Sequence, residues 1–384
     1  MDDGGKRGSS DRIRVALVYG GRSTEHEVAL QSARHVFDHL DPDRYEVLPV
    51  AVDPEGRWHR LDAGRLRADG SPALPARPAL TADADGGAET SDLVLAPHPV
   101  QGPAVLGGEA IDVFFPVMHG PLCEDGTIQG LFELADVPYV GTGVLGSAVC
   151  MDKDVAKRLT TAADIPSAPY LRVRAAQWPG VRADIERLVA EGPGLPAFVK
   201  PANLGSSVGI TRVEDGRGLA EAIETALGFD EKCLVETAID AREIELAVLS
   251  PERPGDPPDV SVPGEIVAQG GFYDYERKYL DSDGARRHIP ADLSDAQTGA
   301  AREMARKVFV TLECDGMARI DLFLERGSGR WLFNEANTIP GFTTISMYPE
   351  MWEASGLPYG QLLDRLIARA QQRHAQQRKL RRSR

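Results

Sequence analysis

Basic residues are in deficit. The 384-residue chain sets 43 Lys and Arg against 58 Asp and Glu, a formal net charge of −15, which argues against a protein that grips a nucleic acid backbone through clustered cations. Cysteine is scarce as well: Cys123, Cys150, Cys233 and Cys314 stand far apart with no Cys-x-x-Cys pair. Neither a zinc ribbon nor a disulfide framework is expected, and reduced thiols are. No apolar run reaches membrane-spanning length, and the opening MDDGGKRGSSDR lacks the apolar core of a secretory signal, so the expected setting is the cytoplasm. What is present, 42% hydrophobic and 26% charged residues, suits two or three ordinary folded domains.

The N-terminal third reads as a doubly wound α/β unit. Arg14 to Tyr19 is a near-continuous apolar run, as a buried parallel strand should be, and Gly20-Gly21-Arg22-Ser23-Thr24-Glu25 leads from it into a helical pattern. Ligands of such units gather at the carboxyl ends of the strands, where Glu25 would sit. A second reading, an acid favoured by the helix dipole, stays open. From about 60 to 110 the chain is rich in Ala, Asp, Gly and Pro and reads as a surface excursion. Ile111 to Met118 is a further strand, ending at His119, which is either a ligand contact or a histidine bonding the loop backbone. Gly141-Thr-Gly143-Val-Leu-Gly146 has the Gly-x-Gly-x-x-Gly spacing, but a dinucleotide fingerprint belongs in the first strand-to-helix turn, and two strands have already passed. It reads as a tight turn into the next helix.

Met151-Asp152-Lys153 opens a helix with a lysine in its first turn, against the dipole preference, so the ammonium is expected to have a partner elsewhere. Farther on, a short strand ends at Lys200-Pro201 and is followed by Asn203-Leu-Gly205-Ser206-Ser207-Val208-Gly209. A lysine followed by a glycine and serine turn makes a hairpin flap whose backbone N–H groups at Gly205 and Ser207 can close over phosphates. Strands from Glu231 to Ile239 and from Arg242 to Ser250 place Glu236 and Glu243 at their ends, where acids can receive ribose hydroxyls or an adenine amino group. Residues 270–284, dense in Tyr and charge, read as a lid. A helix is expected over Leu293 to Leu312, and beyond Gly360 an amphipathic helix runs into a basic tail.

Between these helices lies Ala318-Arg319-Ile-Asp321-Leu-Phe323-Leu, a Gly327-Ser328-Gly329 turn, and Trp331-Leu-Phe333-Asn-Glu335-Ala-Asn337: a hairpin. Alternation puts Arg319, Asp321 and Phe323 on one face of the first strand. The same rule puts Trp331, Phe333, Glu335 and Asn337 on one face of the second. An Asp/Glu/Asn oxygen set suits a hard cation such as Mg²⁺, although a solvent-facing hairpin edge remains open from these residues alone.

These motifs, in this order and closing on Asn337-Thr-Ile-Pro340-Gly341, resemble the D-alanine-D-alanine ligases of the ATP-grasp superfamily over about Val15 to Ile367, the excursion apart. The resemblance implies three α/β domains in an ATP-grasp fold with an N-terminal doubly wound parallel-sheet domain (pre-ATP-grasp). The expected division is a disordered 1–12, a substrate domain 13–146, a central subdomain with the flap 147–236, a C-terminal subdomain with lid and metal site 237–370, and a tail 371–384. It implies ATP-dependent joining of two D-alanine molecules through an acylphosphate, for peptidoglycan precursors. Lys153 and Lys200 would meet the phosphates, Glu236, Ile239 and Glu243 the adenosine, and Asp321, Glu335 and Asn337 two Mg²⁺ (or Mn²⁺) ions. Glu25 would grip the first D-alanine, with Ser206 and Tyr279 tying flap and lid to it. Arg319 and the Gly341 N–H would stabilise the oxyanion, and Ser346 with Lys278 would receive the second carboxylate, near His119. A homodimer with small-molecule substrates, no nucleic acid and no membrane partner is implied. Thr237, where many relatives have lysine, and Leu122-Cys123, where Tyr-Gly is common, depart from the pattern. A D-lactate or D-serine ligase, a non-catalytic nucleotide-binding regulator and a kinase releasing a phosphoester are the competing readings.

Overall fold

The structure, a computed structural model, describes residues 12–61, 95–96, 104–106, 109–268 and 285–380. The N-terminal sheet has the order β3-β2-β1-β7, with β1 (Ile13–Gly20), β2 (Tyr45–Val52), β3 (Trp58–Arg60) and β7 (Val113–Val117). β1 pairs in parallel with both β2 and β7, and β3 is an antiparallel edge, so the expected doubly wound opening is present. Val15 to Tyr19 are buried on both faces, which is why that run carries no polar alternation. Helix α1 (His26–His39) covers one face.

The excursion holds more order than its composition suggests. β4 (Leu95–Ala96), β5 (Ala104–Leu106) and β6 (Glu109–Ile111) form a small antiparallel sheet, and residues 62–94 lie outside the described residues. The strand read as starting at Ile111 is split there: Ile111 ends β6, and Val113 begins β7.

After α2 (Thr127–Leu134), α3 (Val144–Met151) and α4 (Lys153–Ala162), a second sheet follows in the antiparallel order β10-β9-β11-β8. It consists of β8 (Tyr170–Arg174), β9 (Ala197–Pro201), β10 (Thr211–Val213) and β11 (Lys232–Thr237). Helices α5 (Ile185–Glu191) and α6 (Leu219–Leu227) cover it, and its core includes Val173, Val199, Ile223 and Val235.

The third sheet runs β15-β14-β12-β16-β17, with β13 beside β12. Its members are β12 (Ala241–Leu249), β13 (Asp259–Val260), β14 (Gly264–Ala268), β15 (Ala285–His288), β16 (Met317–Glu325) and β17 (Trp331–Asn337). One face buries Ile244, Leu246, Ile320 and Leu322 against Ala301, Ala305 and Val308 of α7 (Asp295–Thr311). That helix starts on a capping box, Ser294 with Gln297, as a helix with exposed ends needs. The other face is divided. Ala247, Leu249 and Met317 join a core with Val15, Leu17 and Tyr19 of the first sheet, under α8 (Met347–Ala354) and α9 (Tyr359–Gln377). Farther along the same face the side chains turn polar, and the candidate site begins at that seam.

Candidate active site

The β16–β17 hairpin forms as expected, turning through Gly327 and Gly329, whose positive φ angles of 81° and 69° glycine adopts without strain. Its register sets Arg319 opposite Asn337 and Asp321 opposite Glu335, and Glu245 of β12 lies opposite Asp321 on the other side. One expectation fails. The register shifts between Asp321 and Leu322, which pairs with Phe333 and leaves Asn334 as an extra residue, a β-bulge that breaks the alternation. Phe333 is therefore fully buried in the α7 core, Trp331 packs against the same core, and the face with Glu335 and Asn337 is left more polar than strict alternation implied. The freed Phe333 N–H donates to the Pro166 carbonyl at 2.7 Å.

The charges on this face hold one another. Arg319 forks onto Asp321 (2.8 and 2.7 Å) and reaches Glu245 at 3.1 Å, while Asn337 Nδ2 donates to Asp321 at 3.1 Å. Burial acts to lower the Arg319 pKa, but Asp321 and Glu245 outweigh it and hold the guanidinium firmly charged. Lys153, the first residue of α4, has the distant partners its position implied: Nζ donates to the Leu204 carbonyl at 2.6 Å and lies 3.3 Å from Glu335 Oε2. The helix is capped by Asp152 instead.

The flap stands over this face. β9 and β10 are antiparallel, and the turn between them carries positive φ at Ser206, Ser207 and Gly209. Ser206 Oγ donates to Glu25 Oε1, joining the flap to the carboxyl end of β1. A Cβ on Gly205 would stand 3.3 Å from Glu25 Oε2, and one on Gly120 would stand 3.0 Å from it. Glu25, 7% exposed, thus sits in the crevice and not on a solvated first turn.

Lys200 lies 2.7 Å from Glu236 Oε1, and Lys157 lies 2.7 Å from Oε2. Burial pushes the Glu236 carboxyl up, yet the two ammonium groups together hold it below the usual range. Each Glu236 oxygen is thus engaged by its own ammonium group. The Thr237 hydroxyl donates to the Pro193 and Pro169 carbonyls, so it is spent on the strand's own surroundings. Ile239 and Glu243 flank this end of β11 and β12, and Glu243 is exposed.

His119 is 4% exposed, with Nδ1 2.9 Å from the Ile339 carbonyl and Nε2 3.5 Å from Ser32 Oγ; burial lowers its pKa. His119 thus bonds backbone, the carbonyl of Ile339 in the loop after β17. Gly341 is confined: a Cβ there would meet Ser346 Oγ at 2.7 Å. That hydroxyl accepts from the Thr343 N–H at 2.9 Å. Tyr279, Lys278 and the rest of the lid lie outside the described residues.

Three participants escaped the sequence reading. Lys157 stands four residues after Lys153 on one helix face, and Glu245 two residues after Glu243 on one strand face, so periodicity alone carried both signals. Glu124 gave none. It folds back to accept from Gly120 N–H (2.9 Å) and Ile339 N–H (3.2 Å), and burial, with Glu25 nearby, pushes its pKa up to about 8.

Among the described residues no group of three or more His, Cys, Asp or Glu is arranged to hold a metal ion. Asp321, Glu335 and Asn337 offer instead two carboxylates and an amide, the kind of set with which Mg²⁺ binds when phosphates and waters complete its shell.

The chain is similar to known proteins over most of its length. Residues 14–142 match a family described as D-ala D-ala ligase N-terminus, and residues 159–368 match D-ala D-ala ligase C-terminus. A D-alanine--D-alanine ligase A from Bradyrhizobium diazoefficiens is 51% identical over 97% of this chain and 99% of its own length. The solved D-alanine-D-alanine ligase from Coxiella burnetii superposes with a TM-score of 0.81 at 34% identity, covering 96% of this chain and 97% of its own. The VanG D-Ala:D-Ser ligase from Enterococcus faecalis gives 0.78 at 32% identity, over 94% and 100%.

Proposed function

The chain belongs to the D-alanine–D-alanine ligase family, and from that premise we propose how its own residues carry out the reaction. The protein is an ATP-dependent ligase of the ATP-grasp fold that joins D-alanine to D-alanine. The D-lactate and D-serine alternatives are not favoured, since the relative at 51% identity is a D-alanine–D-alanine ligase.

The nucleotide is held between the second and third sheets. Glu236, at the end of β11 and paired with Lys157 and Lys200, lies where the adenine would be held. Ile239 and Glu243 receive the rest of the adenosine, and Lys153, Lys200 and the flap N–H groups at Gly205 and Ser207 meet the phosphates. Asp321, Glu335 and Asn337 would hold the two Mg²⁺ (or Mn²⁺) ions. Bound there, the metal would neutralise charge on the phosphoryl group in transfer.

Glu25 pairs with the ammonium of the first D-alanine and Ser206 fixes that carboxylate from the flap, so the substrate carboxylate is aimed at the γ-phosphate. Attack gives an acylphosphate, whose carbonyl the amine of the second D-alanine then meets. Arg319, kept charged by Asp321 and Glu245, and the Gly341 N–H face the oxyanion that forms, where preorganised donors contribute most. Ser346, with Lys278, receives the second carboxylate near His119, and Tyr279 closes the lid on the flap. The observation that carries this reading is the Ser206–Glu25 hydrogen bond, because it unites the first sheet's acid with the phosphate flap over the Arg319 face.

Glu335→Ala tests it: D-alanine-dependent phosphate release should fall by at least two orders of magnitude, as expected when charge stabilisation at the transferred group is lost. Unchanged turnover would refute the metal assignment. We also propose a cytoplasmic homodimer by family analogy; Leu134 on α2, 84% exposed, is apolar surface that a second copy would cover.

A further inference from the structure

The glycine triplet of residues 141–146 packs chiefly against the turn between α7 and β16, with the end of β17 beside it at Thr338. A Cβ on Gly146 would stand 2.3 Å from the Glu313 carbonyl oxygen, and one on Gly316 would stand 3.2 Å from the Gly141 Cα, so both backbones approach as only glycine allows. Thr142 Oγ1, between them, donates to the Asp315 carbonyl at 2.9 Å. Cys150, four residues after Gly146 and so on the same face of α3, meets the residue after Glu313: its Sγ lies 3.5 Å from that of Cys314. Two sulfurs are thus held face to face by contacts that do not depend on sulfur.

The pair is unequal in access. Cys150 is 4% exposed, whereas Cys314 is half-buried and lines a solvent-open cavity of about 750 Å³ beside Val144, Val310 and Arg369. Each cysteine is also one short step from the site, since Cys150 precedes Met151-Asp152-Lys153 and Cys314 lies five residues before Arg319.

We propose that Cys150 and Cys314 form a reversible oxidation site that takes a hydroperoxide and slows ligation when closed. Cys314 meets the oxidant first. Its sulfur attacks a peroxide oxygen, the O–O bond breaks as the S–O bond forms, and the second oxygen leaves as water or, from an organic hydroperoxide, as alcohol. The Cys150 sulfur then attacks the Cys314 sulfur; the S–S bond forms, the S–O bond breaks, and the hydroxyl leaves with the thiol proton as water. Two thiols lose two electrons in all, which the peroxide accepts. Cys123 and Cys233, both buried, stay reduced.

Closure draws the sulfurs from 3.5 Å to about 2.05 Å, a contraction of about 1.5 Å shared between the end of α3 and the turn before β16. Misplacement of catalytic groups by about 1 Å can cost on the order of a hundredfold in rate, and even a fraction of the contraction reaching Lys153 or Arg319 should slow ligation about tenfold.

The test treats the reduced full-length enzyme with hydrogen peroxide, blocks free thiols, maps peptides without reduction and follows dipeptide synthesis before and after dithiothreitol. The expected result is one Cys150–Cys314 cross-linked peptide, two hydrogens lighter than the separate peptides, appearing in step with an activity loss of about tenfold that dithiothreitol restores. Cys314→Ser should keep its activity in peroxide, and Cys150→Ser should stop at an oxygen adduct on Cys314. Sulfinic acid at Cys314 with no cross-link would overturn the site, and a cross-link without loss of activity would overturn its control of ligation. The peptide map requires no turnover, so it separates failure of this proposal from failure of the residue roles above.

Discussion

Lys157→Met probes the least exposed charge among the described residues. The lysine side chain is 0% exposed and lies 2.7 Å from Glu236 Oε2, while Lys200 holds Oε1 at the same distance. Methionine keeps the unbranched shape and removes only the ammonium. Breaking a buried pair from one side costs about 3–5 kcal/mol; because burial already lowers the Lys157 pKa, part of the lysine's own desolvation is returned, and the lower end, roughly 3 kcal/mol, is expected. A urea titration reads that loss. The pH dependence has a definite sign. Burial raises the Glu236 pKa, Lys157 and then Lys200 lower it, and the net position is below the ordinary value. The stability from such a carboxylate is full above its unfolded pKa and lost as pH falls through its folded one. Without Lys157 the folded pKa rises, so that loss begins at higher pH, and the acid limb of kcat/KM for ATP moves upward with it. KM for ATP should rise about tenfold, worth about 1.4 kcal/mol, with a smaller change in kcat. A variant with the wild-type urea midpoint, KM and acid limb would refute the view that Lys157 sets the state of Glu236.

Two further outcomes follow from the geometry. Asp230 receives both the N–H and the side-chain amide of Asn203 (2.8 and 2.9 Å), and the Phe229 ring covers Gly209, so neighbouring residues clasp the two ends of the flap; Phe229→Ala and Asp230→Ala should each raise KM for ATP several-fold and increase ATP hydrolysis without D-alanine, and leave folding stability within about 1–2 kcal/mol, as urea unfolding will show. Glu124, with its pKa raised to about 8, is neutral in the folded state at pH 7, so its contribution to stability is full below its ordinary value and lost as pH rises through about 8, at up to about 1.4 kcal/mol per pH unit; Glu124→Gln should flatten that fall in unfolding titrations, and an equal slope in both proteins would contradict the assignment.

Much of the fold was legible because periodicity and punctuation agreed. The unbroken apolar run at Val15 to Tyr19 is buried on both faces, the helix expected over Leu293 to Leu312 runs from Asp295 to Thr311, and Ser206, Ser207 and Gly209 of the flap take positive φ angles. The bulge at Asn334 was not legible, since a one-residue slip has no composition of its own and depends on what the sheet must bury, here Phe333 under α7. Nor was the use of Gly141 to Gly146. The spacing marks a close approach of backbone, but whether to a phosphate or to another turn is decided by residues 313–316, more than a hundred and sixty positions away.

The site was legible as a set of residue types and illegible as a set of partners. Strand alternation brought Arg319, Asp321, Glu335 and Asn337 together, yet it could not say that the acids already have cations: Arg319 on Asp321 and Glu245, Lys153 on Glu335, Lys157 and Lys200 on Glu236. Uncompensated carboxylates at a partly buried seam would be too costly to leave standing, so the fold pairs them with side chains drawn from other elements. The pairing also bears on how the enzyme binds nucleotide. If Lys153 passes from Glu335 to a phosphate when ATP enters, one ion pair is exchanged for another within the same seam, and the acid it leaves is freed for a cation at the moment the phosphates arrive. Binding of nucleotide and divalent ion should therefore strengthen each other, because the phosphate takes over Lys153 and the cation takes over Glu335.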